Sequence, residues 1–565
     1  LLKSSHGASL MSIEYLQYNC REALANLQLP SLHNGASQNY ILHPSILNGA
    51  VLSSVILSLL QDEGNGLSMP FALEELRIYG ELPEQVYAYV KDSDEGKESR
   101  TKGTKHDIYL CNTKGEIVIS LKGFTTIPLG LQSATDTKKR GVLYATPQWV
   151  HEDLSEEQDD GERKTSPIFI LADANPLLQK ALSRQWPGAR IEILSVIGND
   201  LSKSILTHFL NVFRLVRTCL EKQPEAIPPL VILIPEQQED YLYAALSGLL
   251  KTVRLENAKI VGKVIGYNTD QPDWLDALPE MIQAELCSTD DSVDIRYTET
   301  GIREVKRMKE IEGEYQEEVS LPVAREGDVI WITGGLGGLG LIFVRSLGCV
   351  KGVKLVLSGR SPLDDTNRAV LEELQKEGIE PLYLRCDVSQ KQQVEILVRT
   401  ILEKYGKING ILHAAGVIRD AYLLKKTEKE IKRVFRPKVT GLLAIEEATC
   451  GLKLNFMLLF SSLAGTHGNP GQLDYAGANA FLDAFASYRN QRVKQGECFG
   501  KTLSMNWPLW KEGGMSVDQQ FEVLMERGSG MAAMDTLTGI NALNWAFHSP
   551  YEQVLVAYGD PVKIR

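Results

Sequence analysis

The sequence predicts an α/β protein in three parts: an antiparallel sheet wrapped around one helix, followed by two successive strand–helix alternations. Three observations predict it. Strand-length apolar runs alternate with helix-length segments from Ile168, and the alternation restarts at Asp328, which implies parallel sheets. The run Val329 to Thr333 breaks into Gly-Gly-Leu-Gly-Gly-Leu-Gly, and an apolar-periodic segment follows. Residues 1 to about 130 show short strand-like runs around one long apolar segment, 44–60.

In the first part, strands are expected over 39–42, 85–90, 107–111 and 117–121, with turn signals such as Thr113-Lys114-Gly115 between them. Residues 92–105 read as a charged loop and 131–139 as a linker. Residues 144–150 read as a lone strand, and the acidic stretch 152–164 as a solvated loop. The second part has expected strands at 168–171, 190–194, 230–234 and 259–265, and expected helices at 177–185, 203–220 and 241–256. Its first turn, Leu171-Ala172-Asp173-Ala174-Asn175, has no glycine fingerprint, so it reads as a Rossmann-type unit that binds no nucleotide. An acidic loop, 310–318, leads into the third part. There the expected strands are 329–333, 354–358, 382–385, 410–413 and 456–460, then a last helix at 536–547 and strand at 553–557. The expected boundaries are 1–135, 141–320 and 321–565.

Composition excludes some functions. The 565 residues carry 43% hydrophobic and 23% charged residues, ordinary for a globular chain of three or four domains. A net charge of −12 argues against a nucleic-acid surface. No apolar run approaches the ~20 residues of a membrane helix. The eight cysteines form no C-x-x-C and the nine histidines no H-x-x-x-H, so no metal site is expected, and scattered thiols suit a reducing, cytoplasmic setting. The chain opens Leu-Leu-Lys and reads as a piece of a longer polypeptide.

The third part carries the chemistry. Strand, glycine turn and helix in that order give G-x-G-x-x-G its meaning, with Gly335, Gly337 and Gly340 at the three glycine positions. The first is expected to make the tight turn, the second to admit a pyrophosphate, and the third to let helix and strand pack closely. The helix N-terminus would face the phosphates. The second strand ends Ser358-Gly359-Arg360, and Arg360 lies 20 residues beyond the last glycine. A cation there suits a 2′-phosphate, which favours NADPH over NADH. Tyr475 and Asn479 are four apart on an Ala-rich, helix-forming segment, so they share a face. Ser462 precedes the tyrosine by thirteen residues and Lys438 by thirty-seven.

With Thr333 to Gly340, His413-Ala414-Ala415-Gly416, Lys438, Ser461-Ser462-Leu463-Ala464-Gly465, Tyr475 to Asn479 and Asn506-Trp507-Pro508, the chain from about residue 140 resembles a modular polyketide synthase ketoreductase, a branch of the short-chain dehydrogenases/reductases. The ordinary short-chain pattern has lysine four residues after tyrosine. Here Asn479 stands there and Lys438 supplies the lysine, as in the ketoreductase branch. The resemblance implies NADPH-dependent reduction of a β-ketoacyl thioester on an acyl carrier protein, within a synthase for antibiotic-type products. It implies Tyr475 as proton donor, Ser462 as hydrogen-bond donor to the carbonyl, Lys438 lowering the phenol pKa, and Asn479 supporting proton resupply. It implies a cofactor site of Thr333, Gly334, Gly335, Gly337, Gly338, Leu339, Gly340, Ser358, Gly359, Arg360, Asp387, Val388, Ala414, Ala415 and Gly416. The stretch Val417-Ile418-Arg419-Asp420 resembles the signature of B-type, D-hydroxyl-forming members at Asp420, and the A-type tryptophan position holds His467. Residues 515–534 would form a lid. In the first part, Glu22-Ala23-Leu24-Ala25 to Leu29-Pro30 and Leu42-His43-Pro44-Ser45-Ile46-Leu47-Asn48 resemble the second half of a polyketide synthase dehydratase, a hot-dog fold. Asn48 stands where that family has a catalytic Asp. An amide gives up no proton near neutral pH, so a vestigial role in packing or docking is expected. Partners implied are the carrier protein and other synthase domains. A stand-alone reductase of a diffusible ketone and a non-catalytic scaffold are the alternatives.

Overall fold

The computed structural model describes residues 12–19, 21–30, 40–61, 68–93, 104–128, 140–154, 165–194, 198, 200–222, 226–236, 240–269, 273–311, 323–514 and 519–565. The expected linker 131–139, and most of the expected loops at 92–105, 152–164 and 310–318, lie outside them. The chain divides into two units, Leu1–Lys138 and Lys139–Arg565.

The first unit has strands β1 (Ile13–Tyr18) and β2 (Glu22–Gln28), helix α1 (Pro44–Gln61), then β3 (Ser68–Ala72), β4 (Glu75–Ile78), β5 (Gln85–Asp92), β6 (Thr104–Cys111) and β7 (Ile117–Pro128). They form one antiparallel sheet, ordered β1-β2-β5-β6-β7-β3, with β4 also on β7. The inward residues of β5, Val86, Ala88 and Val90, are fully buried against Ile46, Ala50 and Leu57 of α1. Period-two burial on one face is what an antiparallel sheet with a single covering helix demands. His43 heads the helix: its Nδ1 accepts the Ser45 N–H at 3.2 Å. The strand expected at 39–42 is not one, since Ile41 and Leu42 sit in a bend before the Pro44 start. Strands β1 to β4 escaped the sequence reading.

The second unit begins with β8 (Gly141–His151), β9 (Ile168–Leu171), α2 (Pro176–Gln185), β10 (Arg190–Ile193), α3 (Leu201–Glu221), β11 (Leu230–Pro235), α4 (Ala244–Glu256), β12 (Gly262–Tyr267), α5 (Trp274–Cys287), β13 (Asp294–Tyr297) and β14 (Arg303–Glu310). The alternation then restarts with β15 (Val329–Thr333), α6 (Gly338–Gly348), β16 (Lys354–Gly359), α7 (Asp365–Lys376), β17 (Leu382–Arg385), α8 (Lys391–Tyr405), β18 (Gly410–His413) and α9 (Glu428–Phe435). It closes with α10 (Gly441–Thr449), β19 (Phe456–Ser462), α11 (Leu463–His467), α12 (Leu473–Lys494), β20 (Lys501–Trp507), α13 (Gln519–Ser529), α14 (Thr536–His548) and β21 (Gln553–Gly559). Among the described residues, the fourteen strands of this unit join one sheet, ordered β10-β9-β11-β12-β13-β14-β8-β21-β20-β19-β18-β15-β16-β17.

The strand expected to stand alone, β8, is the seam of that sheet. It pairs antiparallel with β14 on one side and with β21 on the other. Its partners lie about 150 and 400 residues away in sequence, which a local reading cannot reach. Helix α5 was missed because Pro279 lies inside it, and an interior proline argues against a helix. Parallel strands β15 and β19 are buried along nearly their whole length, as strands covered on both faces must be.

Candidate active site

The site lies at the carboxyl ends of β15, β18 and β19, where a doubly wound sheet opens for ligands. At the end of β15 the chain turns at Gly334, whose φ of +66° is left-handed. The tight turn is therefore made by Gly334 and not, as expected, by Gly335. Gly335 has another reason to be glycine: a Cβ there would lie 2.9 Å from Leu357 on β16. Gly340 acts as expected, because its Cβ would fall 2.4 Å from Gly334 O, so α6 and the turn touch backbone to backbone. Gly337 caps α6 in an extended conformation, and Gly338 and Leu339 open the helix with amide groups that have no partner one turn back. A Cβ on Gly338 would meet Gly513 O at 2.4 Å, so the segment after β20 covers this corner.

Three expected cofactor contacts have inward side chains. Thr333 is fully buried, and its Oγ1 meets His413 Nδ1 at 2.9 Å and accepts the Ala415 N–H at 3.2 Å. Ser358 is fully buried, and its Oγ accepts Trp331 Nε1–H at 2.8 Å. Val388 is buried, and a Cβ on Gly441 would lie 2.7 Å from it. These residues shape the cradle and offer a ligand only their backbone. Gly359 ends β16, and Arg360 follows it, exposed. Beside it stands Arg385, whose Nε–H donates to Arg360 O at 3.1 Å. The sequence reading missed Arg385. The parallel pairing of β16 with β17 sets Gly359 opposite Arg385, a register that no local motif reveals. Asp387 turns back on its own loop, accepting Ser389 N–H at 3.0 Å.

Tyr475, Lys438, Ser462 and Asn479 converge. Tyr475 and Asn479 lie one turn apart on α12, and Asn479 Nδ2 donates to Tyr475 O at 2.8 Å. Ser462 ends β19 and caps α11, accepting the Ala464 N–H at 3.3 Å. Lys438 comes from a π-helical turn, Arg436–Thr440, between α9 and α10. Pro437 has no N–H for the α ladder, and Gly441 N–H instead reaches back five residues to Arg436 O. The wide turn drives Lys438 inward. Its ammonium donates to Phe460 O at 2.7 Å and to Asn479 Oδ1 at 2.8 Å, and lies 5.3 Å from the centre of the Tyr475 ring.

The cradle and the tyrosine share one continuous region. A Cβ on Gly334 would lie 3.0 Å from Ala415 Cα, and one on Gly416 would lie 3.1 Å from Lys438 Cε. Ala414, Ala415 and Gly416 thus bridge the glycine turn to Lys438.

Electrostatics correct one expectation. The lysine was expected to hold the phenol pKa down. Burial instead pushes Tyr475 up, and polar contacts from Asn479 and Ser462 offset this only partly, while Asp420 adds to the rise. Burial lowers Lys438 to about 7, opposed by the Asp483 carboxylate. Removing an ammonium from water costs more than its neighbours return. Tyr475 therefore keeps its proton at neutrality, and Lys438 lies near the midpoint of its titration there. His413 behind it is held neutral, down to about 3, by burial and by Lys438.

Asp420 is exposed, and both its oxygens accept from Gln472 Nε2 at 3.1 Å. His467 ends α11. Of the expected lid, residues 515–518 lie outside the described residues, and α13 forms much of the rest. Among the described residues no cluster of side chains could hold a metal ion, and no helix is long and apolar enough to cross a membrane.

The glycine cradle fits a dinucleotide: an open helix N-terminus, a left-handed turn and two arginines at the neighbouring strand ends. With half-buried Tyr475 and Ser462 and buried Lys438 and Asn479 beside it, fold and site define a reductase of the short-chain dehydrogenase type.

Comparison with known proteins makes this specific. Residues 329–512 match a family model described as KR domain, and residues 3–136 match one described as polyketide synthase dehydratase N-terminal domain. Residues 192–285 match one described as beta-ketoacyl synthase-like, N-terminal. A crystal structure of a ketoreductase domain from the bacillaene assembly line is 32% identical, covers 75% of this chain and 99% of that one, and superposes with a TM-score of 0.68. An N-terminal ketoreductase from the macrolactin assembly line is 24% identical, covers 76% of this chain and 94% of its own, and shares the fold at a TM-score of 0.61. Polyketide synthase PksN of Bacillus subtilis (strain 168) is 33% identical across 100% of this chain, which spans 10% of its length. The chain belongs to the polyketide synthase ketoreductase family, preceded by a dehydratase-related unit. The matching dehydratase model carries the N-terminal label, whereas the His43-Pro44 helix had suggested the second half. Ketoreductases of this kind are oxidoreductases that use NAD(P)H.

Proposed function

We propose that the chain reduces a β-ketoacyl thioester, carried on the phosphopantetheine arm of an acyl carrier protein, to the D-β-hydroxyacyl thioester, using NADPH. The observation that carries this reading is the meeting of Tyr475, Lys438, Ser462 and Asn479 in one site contiguous with the glycine cradle. NADPH would lie along Gly334 to Gly340 and supply the hydride. Arg360, with Arg385 beside it, would meet the 2′-phosphate.

Ser462 Oγ holds the ketone oxygen by a hydrogen bond that strengthens as negative charge develops there. Tyr475 gives that oxygen its phenolic proton, completing the alcohol and leaving a phenolate. A buried phenolate needs a cation, and Lys438 stands over the ring. With a pKa of about 7, Lys438 can carry a proton at neutrality and hand it on. Asn479 fixes Lys438 by accepting from it while its own amide donates to the α12 backbone. Asp420 belongs to the stereocontrol loop of the B-type reading.

Residues 141–320 are proposed as a structural subdomain and 321–565 as the catalytic one, with 1–135 a dehydratase-like unit lacking acid chemistry at Asn48. Similarity along the whole chain to polyketide synthases favours a carrier-bound substrate over a diffusible ketone. The test is turnover of a β-ketoacyl pantetheine thioester with NADPH and with NADH, with chiral analysis of the product. NADPH-dependent D-alcohol is expected. A dominant L-alcohol would overturn the stereochemical part, and no turnover would overturn the whole.

A further inference from the structure

We infer that Glu256, on the half of the second unit without a glycine cradle, is a positioning residue for the reductase site: its carboxylate ties together the two loops that frame Tyr475. This rests on the proposed reduction and deepens it, naming what fixes the substrate's approach.

The observation starts from one face of α4. Gly248, Thr252 and Glu256 are spaced by four, so they line up along the helix. Gly248 meets the catalytic helix: a Cβ there would lie 2.6 Å from Ala476 C and O, next in sequence to Tyr475. In return, a Cβ on Gly477 would lie 2.9 Å from Ala245 O. The two helices therefore touch backbone to backbone within two residues of the proposed proton donor.

One turn on, Thr252 Oγ1 accepts the Asn469 N–H at 3.2 Å, in the loop between α11 and α12. The next turn brings Glu256. Its Oε1 accepts the Gly471 N–H at 2.8 Å and its Oε2 the Leu423 N–H at 2.7 Å. Gly471 belongs to the loop that leads into Tyr475, and Leu423 to the loop that carries Asp420. The loops also join directly, with Ala421 N–H donating to Gly471 O at 2.9 Å and Gln472 holding Asp420. Glu256 closes this frame from outside. An acid at a helix C-terminus is badly placed for the helix dipole, so this residue acts for the loops and not for α4.

The other end of the Asp420 loop is secured independently. Buried Lys426 donates to Asp474 Oδ1 at 2.9 Å and to Arg419 O, and Asp474 Oδ1 accepts the Tyr475 N–H at 2.9 Å. Asp420 and Tyr475 are thus held at a fixed separation from both sides. The face of the ketone offered to the hydride depends on that separation, so the frame governs stereochemical outcome as well as rate.

The test compares the full chain with Glu256→Gln and, as a milder change, Thr252→Val. An amide keeps one acceptor but cannot serve both N–H groups. Hydrogen exchange read by mass spectrometry is expected to rise about tenfold or more in peptides spanning 421–427 and 468–472 of Glu256→Gln, the effect of losing one charge-assisted bond. The α6 peptide and NADPH affinity are expected to stay unchanged. With a β-ketoacyl pantetheine thioester, kcat should fall while the D:L product ratio erodes. Thr252→Val should loosen 468–472 alone. Unchanged exchange in both loops, or faster exchange with an unaltered product ratio, overturns the inference. If Glu256→Gln fails to fold, Thr252→Val decides by the same two readouts. An inactive wild type with the expected exchange pattern overturns the reductase reading and leaves Glu256 only a loop tie.

Discussion

Replacing Lys438 by methionine should change how stability depends on pH. Lys438 is 4% exposed, and burial lowers it from 10.5 to about 7. The unfolded chain keeps this proton up to its ordinary pKa, while the folded protein releases it near 7. Between those values the unfolded state binds more protons, so the wild type gains stability as pH rises. Below 7 the cost of the buried charge is fully present, about 5 kcal/mol at about 1.4 kcal/mol per pKa unit. From pH ~6 to pH ~9 roughly half of it is relieved, about 2–3 kcal/mol. Methionine does not titrate. The bonds to Phe460 O and Asn479 Oδ1 are lost in the variant at every pH, so they shift its stability without adding slope. The assay is denaturant unfolding of the ligand-free chain at both pH values for both proteins. The wild type should gain on Lys438→Met by about 2–3 kcal/mol over that interval. Parallel pH dependences would refute the claim that Lys438 is poised near neutrality, and with it the proton relay.

Three further outcomes are expected. Arg360→Ala should weaken NADPH by about tenfold to a hundredfold, the loss of a charge-assisted phosphate contact, and leave NADH affinity nearly unchanged, as read by fluorescence titration. Gly340→Ala places a Cβ 2.4 Å from Gly334 O, so it should abolish NADPH binding or lower the melting temperature, whereas Gly451→Ala, where a Cβ meets open space, should cost far less. Lys426→Met leaves Asp474 buried with its charge unpaired, so unfolding free energy should fall by about 3–5 kcal/mol, measured by denaturant titration.

Much of the site was legible because its signals are local. Strand, glycines and helix follow one another within thirteen residues, and Tyr475 and Asn479 reveal their shared face by spacing alone. Lys438 and Ser462 were legible only through resemblance, since nothing in Phe435-Arg436-Pro437-Lys438 announces a π turn. What failed was long-range. The seam strand β8, the Arg360–Arg385 pair and the Glu256 tie each join residues far apart in sequence, and no period or motif marks them. The misplaced turn glycine had a different cause: the fingerprint starts at Gly335, Gly334 directly precedes it, and only φ distinguishes the two.

The most direct measurement follows nicotinamide absorbance while wild type and Tyr475→Phe meet a β-ketoacyl pantetheine thioester at equal, saturating NADPH. The account predicts steady oxidation by the wild type and a rate about a hundredfold to ten-thousandfold lower for the variant, with NADPH affinity intact. A variant that turns over at the wild-type rate would contradict it.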